Sequence, residues 1–122
     1  EKIANFSKKF EKLIKDFTPE LAAVEKLFFA KNQKTALAVA QARGILMASL
    51  VNQNIPIVEY GPTEVKLNVT GYGLADKAAV ARMVKIILKV SDLTGYDDAI
   101  DAIAIAITAA NHRLLTEKIA KI

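Results

Sequence analysis

The stretch Leu21-Ala22-Ala23-Val24-Glu25-Lys26-Leu27-Phe28-Phe29 decides the fold. Leu21 to Val24 is a short apolar run without alternation, which suits a strand buried on both faces, as in a parallel sheet. Thr18-Pro19 stands just before it and ends the preceding element, because the residue ahead of a proline is pushed out of the helical region. Within residues 1–16, Ile3, Phe6, Phe10, Leu13 and Ile14 recur at three- and four-residue spacings with lysines between them, which predicts an amphipathic helix.

Downstream, Thr35 to Asn54 is rich in Ala and Leu and apolar on more than one face, so it is read as a helix that is central or lies in a subunit interface. Ile55 to Tyr60 reads as a second short strand entered through Pro56, and Pro62 suits the first position of a helix through Val69. Gly71-Tyr72-Gly73 is a turn. Asp76 to Val90 is an amphipathic helix with Val80, Met83, Val84, Ile87 and Leu88 inward. After a loop at Ser91–Gly95, Asp97 to Ile122 is a long helix; the Ala–Ile alternation over Ile103–Ile107 mimics a strand, but length and alanine content decide for helix. The pattern is an α/β layer that lacks the start of its sheet.

At 122 residues the chain is read as a single domain with no internal repeat. Hydrophobic residues make up 52%, too many for disorder. The absence of cysteine excludes a disulfide framework and a thiolate metal site, and it fits a reducing cytoplasm. No apolar run reaches the roughly 18 residues a membrane span needs. Glu1 opens inside an amphipathic helix without a methionine, as a fragment or trimmed chain would. The net charge of +4 and pI near 9.3 fit either a mildly basic soluble surface or a polyanionic partner.

Glu25, directly after a buried strand, is either the strand's exit to solvent or a site residue, since the carboxyl ends of strands in α/β sheets are where sites form. Asp98 and Asp101, three apart, lie on one face near a helix start. They are either residues favoured by the helix dipole or a carboxylate pair able to share an ion. Asp97 suits the helix cap itself. The Gly71/Gly73 pair fails as a dinucleotide fingerprint, because the third glycine position is Asp76. His112 is a lone histidine, read as a surface or interface residue, and no nucleophilic triad can be assembled. Phe28 and Phe29 are either core or, beside a basic groove, able to stack on an unpaired base.

Three segments taken together closely resemble the RuvC family of Holliday-junction resolvases: VEKLFF from Val24, VEYGPTEVKLNVTGYGLADKAAVARMV from Val58, and DDAIDAIAIAIT from Asp97. TALAVAQARG from Thr35 is similar to the family's dimer-interface helix, and the likeness covers essentially the whole chain. The resemblance implies an RNase H-like α/β fold, with the family's first three strands missing. It also implies a cytoplasmic homodimer that nicks two opposing strands of a four-way junction in DNA recombination and repair, alongside the RuvA–RuvB branch-migration complex. Glu25, Asp98 and Asp101 match three of the family's four acidic metal positions; the fourth, an aspartate on the first strand, is absent. Phe28 matches an aromatic used at the opened junction, and Lys66 and Lys77 match phosphate-contacting positions. Two Mg²⁺ ions, for which Mn²⁺ can substitute, are the implied cofactors, held about 3.5–4 Å apart for in-line attack. The alternative is a catalytically incomplete dimerisation and junction-binding fragment with an exposed sheet edge that invites swapped assembly.

Overall fold

The computed structural model describes residues 2–26, 33–93 and 97–120. The element order is α1 (Lys2–Phe17), β1 (Ala22–Glu25), α2 (Gln33–Asn52), β2 (Ile57–Tyr60), α3 (Pro62–Thr70), α4 (Lys77–Leu88) and α5 (Asp97–Ala120). Every predicted element is present, with ends that differ by at most two residues. Phe28 and Phe29 lie outside the described residues.

β1 and β2 pair side by side, and among the described residues the sheet has these two strands. Ala22 N–H donates to Pro56 O and Lys26 N–H to Tyr60 O, both at 2.9 Å. The register is constant along the chain direction, so the pair is parallel. The expectation of a strand buried on both faces is corrected: Ala22, Ala23 and Val24 are half-buried and Glu25 is exposed. A strand's faces are covered by the elements packed on them, and here they are only partly covered.

The chain divides into two compact units. The first comprises residues 1–22 and 27–58, with α1 and α2. Ile14, Leu50 and Ile55 form its buried core, with Phe10, Ala22 and Ile57 packed around them. Here the spacing of Phe10 and Ile14 does what the sequence pattern required, placing both on one helix stripe. α1 ends at Phe17, where Thr18 adopts a positive φ of 43° ahead of Pro19 while its N–H closes onto Ile14 O at 2.8 Å. Leu37, Val39 and Val51 of α2 are exposed.

The second unit comprises residues 23–26 and 59–122 and holds α3, α4 and α5. Its buried side chains include Val65 and Val69 of α3, Val80 and Val84 of α4, and Ile100, Ala104 and Thr108 of α5. The four-residue spacing of each set gives one inward stripe per helix, and full burial of a side chain such as Val84 contributes about 1.5–3 kcal/mol. The Ala–Ile alternation in α5 resolves on that stripe, with Ala104 buried and Ala106 exposed. Ile87 and Leu88, expected inward, are exposed in the last turn of the helix, which stops at Leu88. Lys89 caps it in the left-handed conformation (φ 58°), its N–H and that of Val90 returning to Ile86 O and Lys85 O. Asp76 is the N-cap rather than the first helical residue, accepting from Ala79 N–H at 2.8 Å. Asp97 is the first residue of α5 and not the residue before it. No helix of the described residues is long and apolar enough to cross a membrane.

Candidate nucleic-acid interface

A cleft of about 460 Å³ opens in the second unit between the end of β1 and the helices α3, α4 and α5. Its charged lining residues are Glu25, Lys66, Lys77, Asp97 and Asp101, set against apolar walls that include Val65, Val80 and Ile100. Each element delivers its residue for a local reason. Glu25 is the last residue of β1; Pro62, with no N–H to lose, starts the helix that carries Lys66; the Asp76 cap fixes the start of α4 at Lys77. Asp97 and Asp101 are one turn apart on α5.

Of the residues singled out from sequence, Glu25, Asp101, Lys66 and Lys77 line this one cleft. Asp98 does not; Asp97 does. At about 100° per residue, Asp97 lies on the inward stripe of α5 and Asp101 at its edge, while Asp98 stands about 60° further round than Asp101. Phe28 lies outside the described residues.

Lys77 Nζ lies 3.9 Å from Asp101 Oδ2, with the lysine side chain 85% and the aspartate 54% exposed. A pair so stretched and so wet stabilises by at most about 1 kcal/mol, and is easily exchanged for another anion. The floor beside Glu25 is tighter. Lys26 Nζ meets Glu64 Oε1 at 3.2 Å, and the same oxygen accepts from Gly61 N–H at 3.1 Å. The Gly61 N–H and the Lys26 ammonium hold the Glu64 carboxyl below its ordinary range. This contact ties the end of β1 to the first turn of α3, and so fixes Glu25 by its neighbour.

Two contacts that hold α5 were not legible in the sequence. His112 Nδ1 lies 3.0 Å from the Tyr60 hydroxyl, with the rings edge to face at 5.1 Å between centroids. Asn111 Nδ2 donates to Asn68 Oδ1 at 2.9 Å. His112 is therefore a partner of Tyr60, 52 residues away in sequence, a pairing that no local pattern announces.

A divalent ion requires several oxygen donors that converge on one point. Among the described residues, no three acidic or histidine side chains gather closely enough to hold a metal ion. Three carboxylates line the cleft wall without converging on one point, so the described residues do not by themselves fit the metal site implied by the resemblance. What they present is a cleft in which carboxylates and two lysines, Lys66 and Lys77, line the same walls.

The two-stranded parallel sheet flanked by helices is of the α/β type, and the match to solved RuvC structures places the chain in the RNase H-like class. It superposes on a Thermus thermophilus RuvC structure with a TM-score of 0.84 at 31% identity, covering 93% of this chain and 69% of that one. The same protein in complex with a Holliday junction substrate gives a TM-score of 0.86. The family model described as crossover junction endodeoxyribonuclease RuvC matches residues 1–109, and the chain belongs to that family. Relatives include crossover junction endodeoxyribonuclease RuvC of Thermotoga petrophila, 42% identical over 106 residues and 87% of this chain. That of Natranaerobius thermophilus is 50% identical over 95 residues and 78% of this chain. The chain spans 64% and 59% of the length of these two relatives, less than two thirds of each.

Proposed function

We propose that residues 1–122 act as one RNase H-like resolvase domain in a protein that binds four-way DNA junctions and nicks two opposing strands by phosphodiester hydrolysis, in recombination and repair. The observation that carries this reading is the cleft that sets Lys66 and Lys77 against Glu25 and Asp101. Lys66 and Lys77 neutralise the phosphate at which the strand is cut. Glu25 and Asp101 are the carboxylates that orient the attacking water, one of them taking its proton as the new P–O bond forms and the sugar oxygen leaves with a proton from solvent. Asp98, grouped with them by the resemblance, lies off the cleft lining and carries no step here. Phe28 stacks on a base at the opened junction. Metal dependence belongs to the family, and Mg²⁺, with Mn²⁺ as substitute, is the ion that hard carboxylate oxygens select. A homodimer through α2, whose Leu37, Val39 and Val51 are exposed, supplies the two symmetric cuts, and the branch-migration complex RuvA–RuvB is the expected partner in the cytoplasm.

The absence of a gathered metal group among the described residues favours a second reading for the chain by itself: a dimerisation and junction-binding module without cleavage. One experiment separates the two. A labelled four-way junction is incubated with Mg²⁺ and either the chain or its Asp101→Asn variant. Paired nicks from the first and none from the second support hydrolysis at this cleft. Binding without nicks from either supports the module. Equal cleavage by both removes Asp101 from the site.

A further inference from the structure

The turn between α3 and α4 carries two apolar side chains into solvent that the cleft does not use. Tyr72 is 60% exposed and Leu74 77%. Nearly all the other exposed apolar residues sit on helix faces, whereas these two flank Gly73 at the tip of a turn. The turn is also tied down. Thr70 Oγ1 donates to Lys66 O at 2.7 Å, and the same oxygen lies 3.1 Å from both the N and the O of Tyr72. Ala75 N–H donates to Tyr72 O at 3.1 Å. Gly71 supplies the left-handed φ of 83° that starts the turn. Gly73 lies so close to the first turn of α3 that a Cβ there would come within 3.1 Å of Thr63 Cγ2. A turn whose backbone is fixed this way loses little main-chain freedom on binding.

The position of the turn says what they meet. Thr63 follows Pro62, a cleft residue, and five residues after Tyr72 comes Lys77, another. A fully extended chain covers about 3.5 Å per residue, so Tyr72 stands within about 17 Å of Lys77 along the backbone. That is at most about five nucleotide steps from a phosphate held in the cleft, at roughly 3.4 Å per step. Two side chains offer far too little area for a protein partner, which needs about 800 Å² per side. A nucleic-acid strand needs only one ring face per base.

We propose that the Tyr72–Leu74 turn is a second nucleic-acid contact, gripping the sugar and base faces of the strand that leaves the Lys66/Lys77 cleft. This rests on the reading of the cleft as a DNA site. Base–aromatic contacts are worth about 5- to 150-fold in affinity on alanine substitution. An exposed turn tip belongs at the low end, so Tyr72→Ala weakens binding about five- to tenfold. Since no phosphate is contacted, the salt dependence stays unchanged, while Tyr72→Phe keeps the affinity.

The test is anisotropy of a labelled four-way junction with the full chain, in EDTA, across a salt series. Wild type, Tyr72→Ala, Tyr72→Phe, Leu74→Ala and Lys77→Met are compared, each checked for an unchanged melting temperature. Loss of affinity in Tyr72→Ala at an unchanged salt slope, with Tyr72→Phe unaffected and only Lys77→Met shallower, is the expected result. Wild-type affinity in both Tyr72→Ala and Leu74→Ala overturns the proposal while leaving the cleft reading intact. A wild-type chain that binds no junction overturns both.

Discussion

Replacing Lys66 and Lys77 together by methionine removes the cationic side of the cleft and leaves its apolar walls in place. Each lysine that neutralises a phosphate steepens the fall of log affinity with log salt by about 0.9, so the double variant flattens the slope by about 1.8. Between about 50 and 200 mM salt, that difference makes wild-type binding fall about 12-fold further than that of the variant. Lys77 counts as nearly a full contact. Its pair with Asp101 is stretched to 3.9 Å and mostly wet, so exchanging a carboxylate for a phosphate costs little. Lys66 is half-buried beside Val65 and reaches the cleft with less freedom to lose. The assay is fluorescence anisotropy of a labelled four-way junction over five salt concentrations in EDTA. Lys8→Met/Lys9→Met, two exposed lysines of α1, serves as the charge-matched control. An unchanged slope in the cleft variant, or an equal flattening in the control, refutes the assignment of phosphate binding to the cleft.

Asp101→Asn removes a carboxylate that both repels a phosphate and holds Lys77. Junction affinity without metal therefore rises, by up to about fivefold if the pair contributes about 1 kcal/mol, and weaker binding in the same anisotropy assay contradicts this. The lowered pKa of Glu64 sets a pH signature. Its stabilisation is fully present above the ordinary value of 4.5 and is lost as pH falls through the lower folded value. Thermal melts of wild type and Glu64→Gln therefore diverge at neutral pH and converge in acid; a gap that persists below that range argues against the Gly61 and Lys26 contacts. Lys89→Gly relieves a left-handed residue, a conformation that costs a side chain roughly 1–2 kcal/mol, against the extra unfolded freedom of glycine. The net gain is about 0.5–1 kcal/mol in urea unfolding, and a loss there indicates that Lys89 is not in that conformation.

The helices were legible because their signals are local. Phe10 and Ile14 share a stripe, and Pro19 and Pro62 punctuate. The inward face of α4 was read too long, since nothing in Ile86-Ile87-Leu88 foretells that Lys89 turns left-handed and ends the helix. Strand burial was overestimated for a different reason. An apolar run reports how its side chains partition, whereas coverage depends on which elements lie on each face, and β1 is only half covered. At the cleft, the Asp98/Asp101 spacing was visible, but which acid faces inward depends on the rotation of α5, set by Ile100, Ala104 and Thr108. That rotation turns Asp97 into the cleft wall in place of Asp98. The Tyr60–His112 and Lys26–Glu64 contacts join residues 52 and 38 apart and exist only once the chain is folded.

The account turns on recognition of a branched DNA structure by this chain. The direct measurement is competition, in EDTA, between a labelled four-way junction and an unlabelled linear duplex carrying the same arm sequences. The account predicts that the junction binds at least about tenfold more tightly than the duplex, a difference of about 1.4 kcal/mol. Equal affinity for the two, or no saturable binding to either, contradicts it.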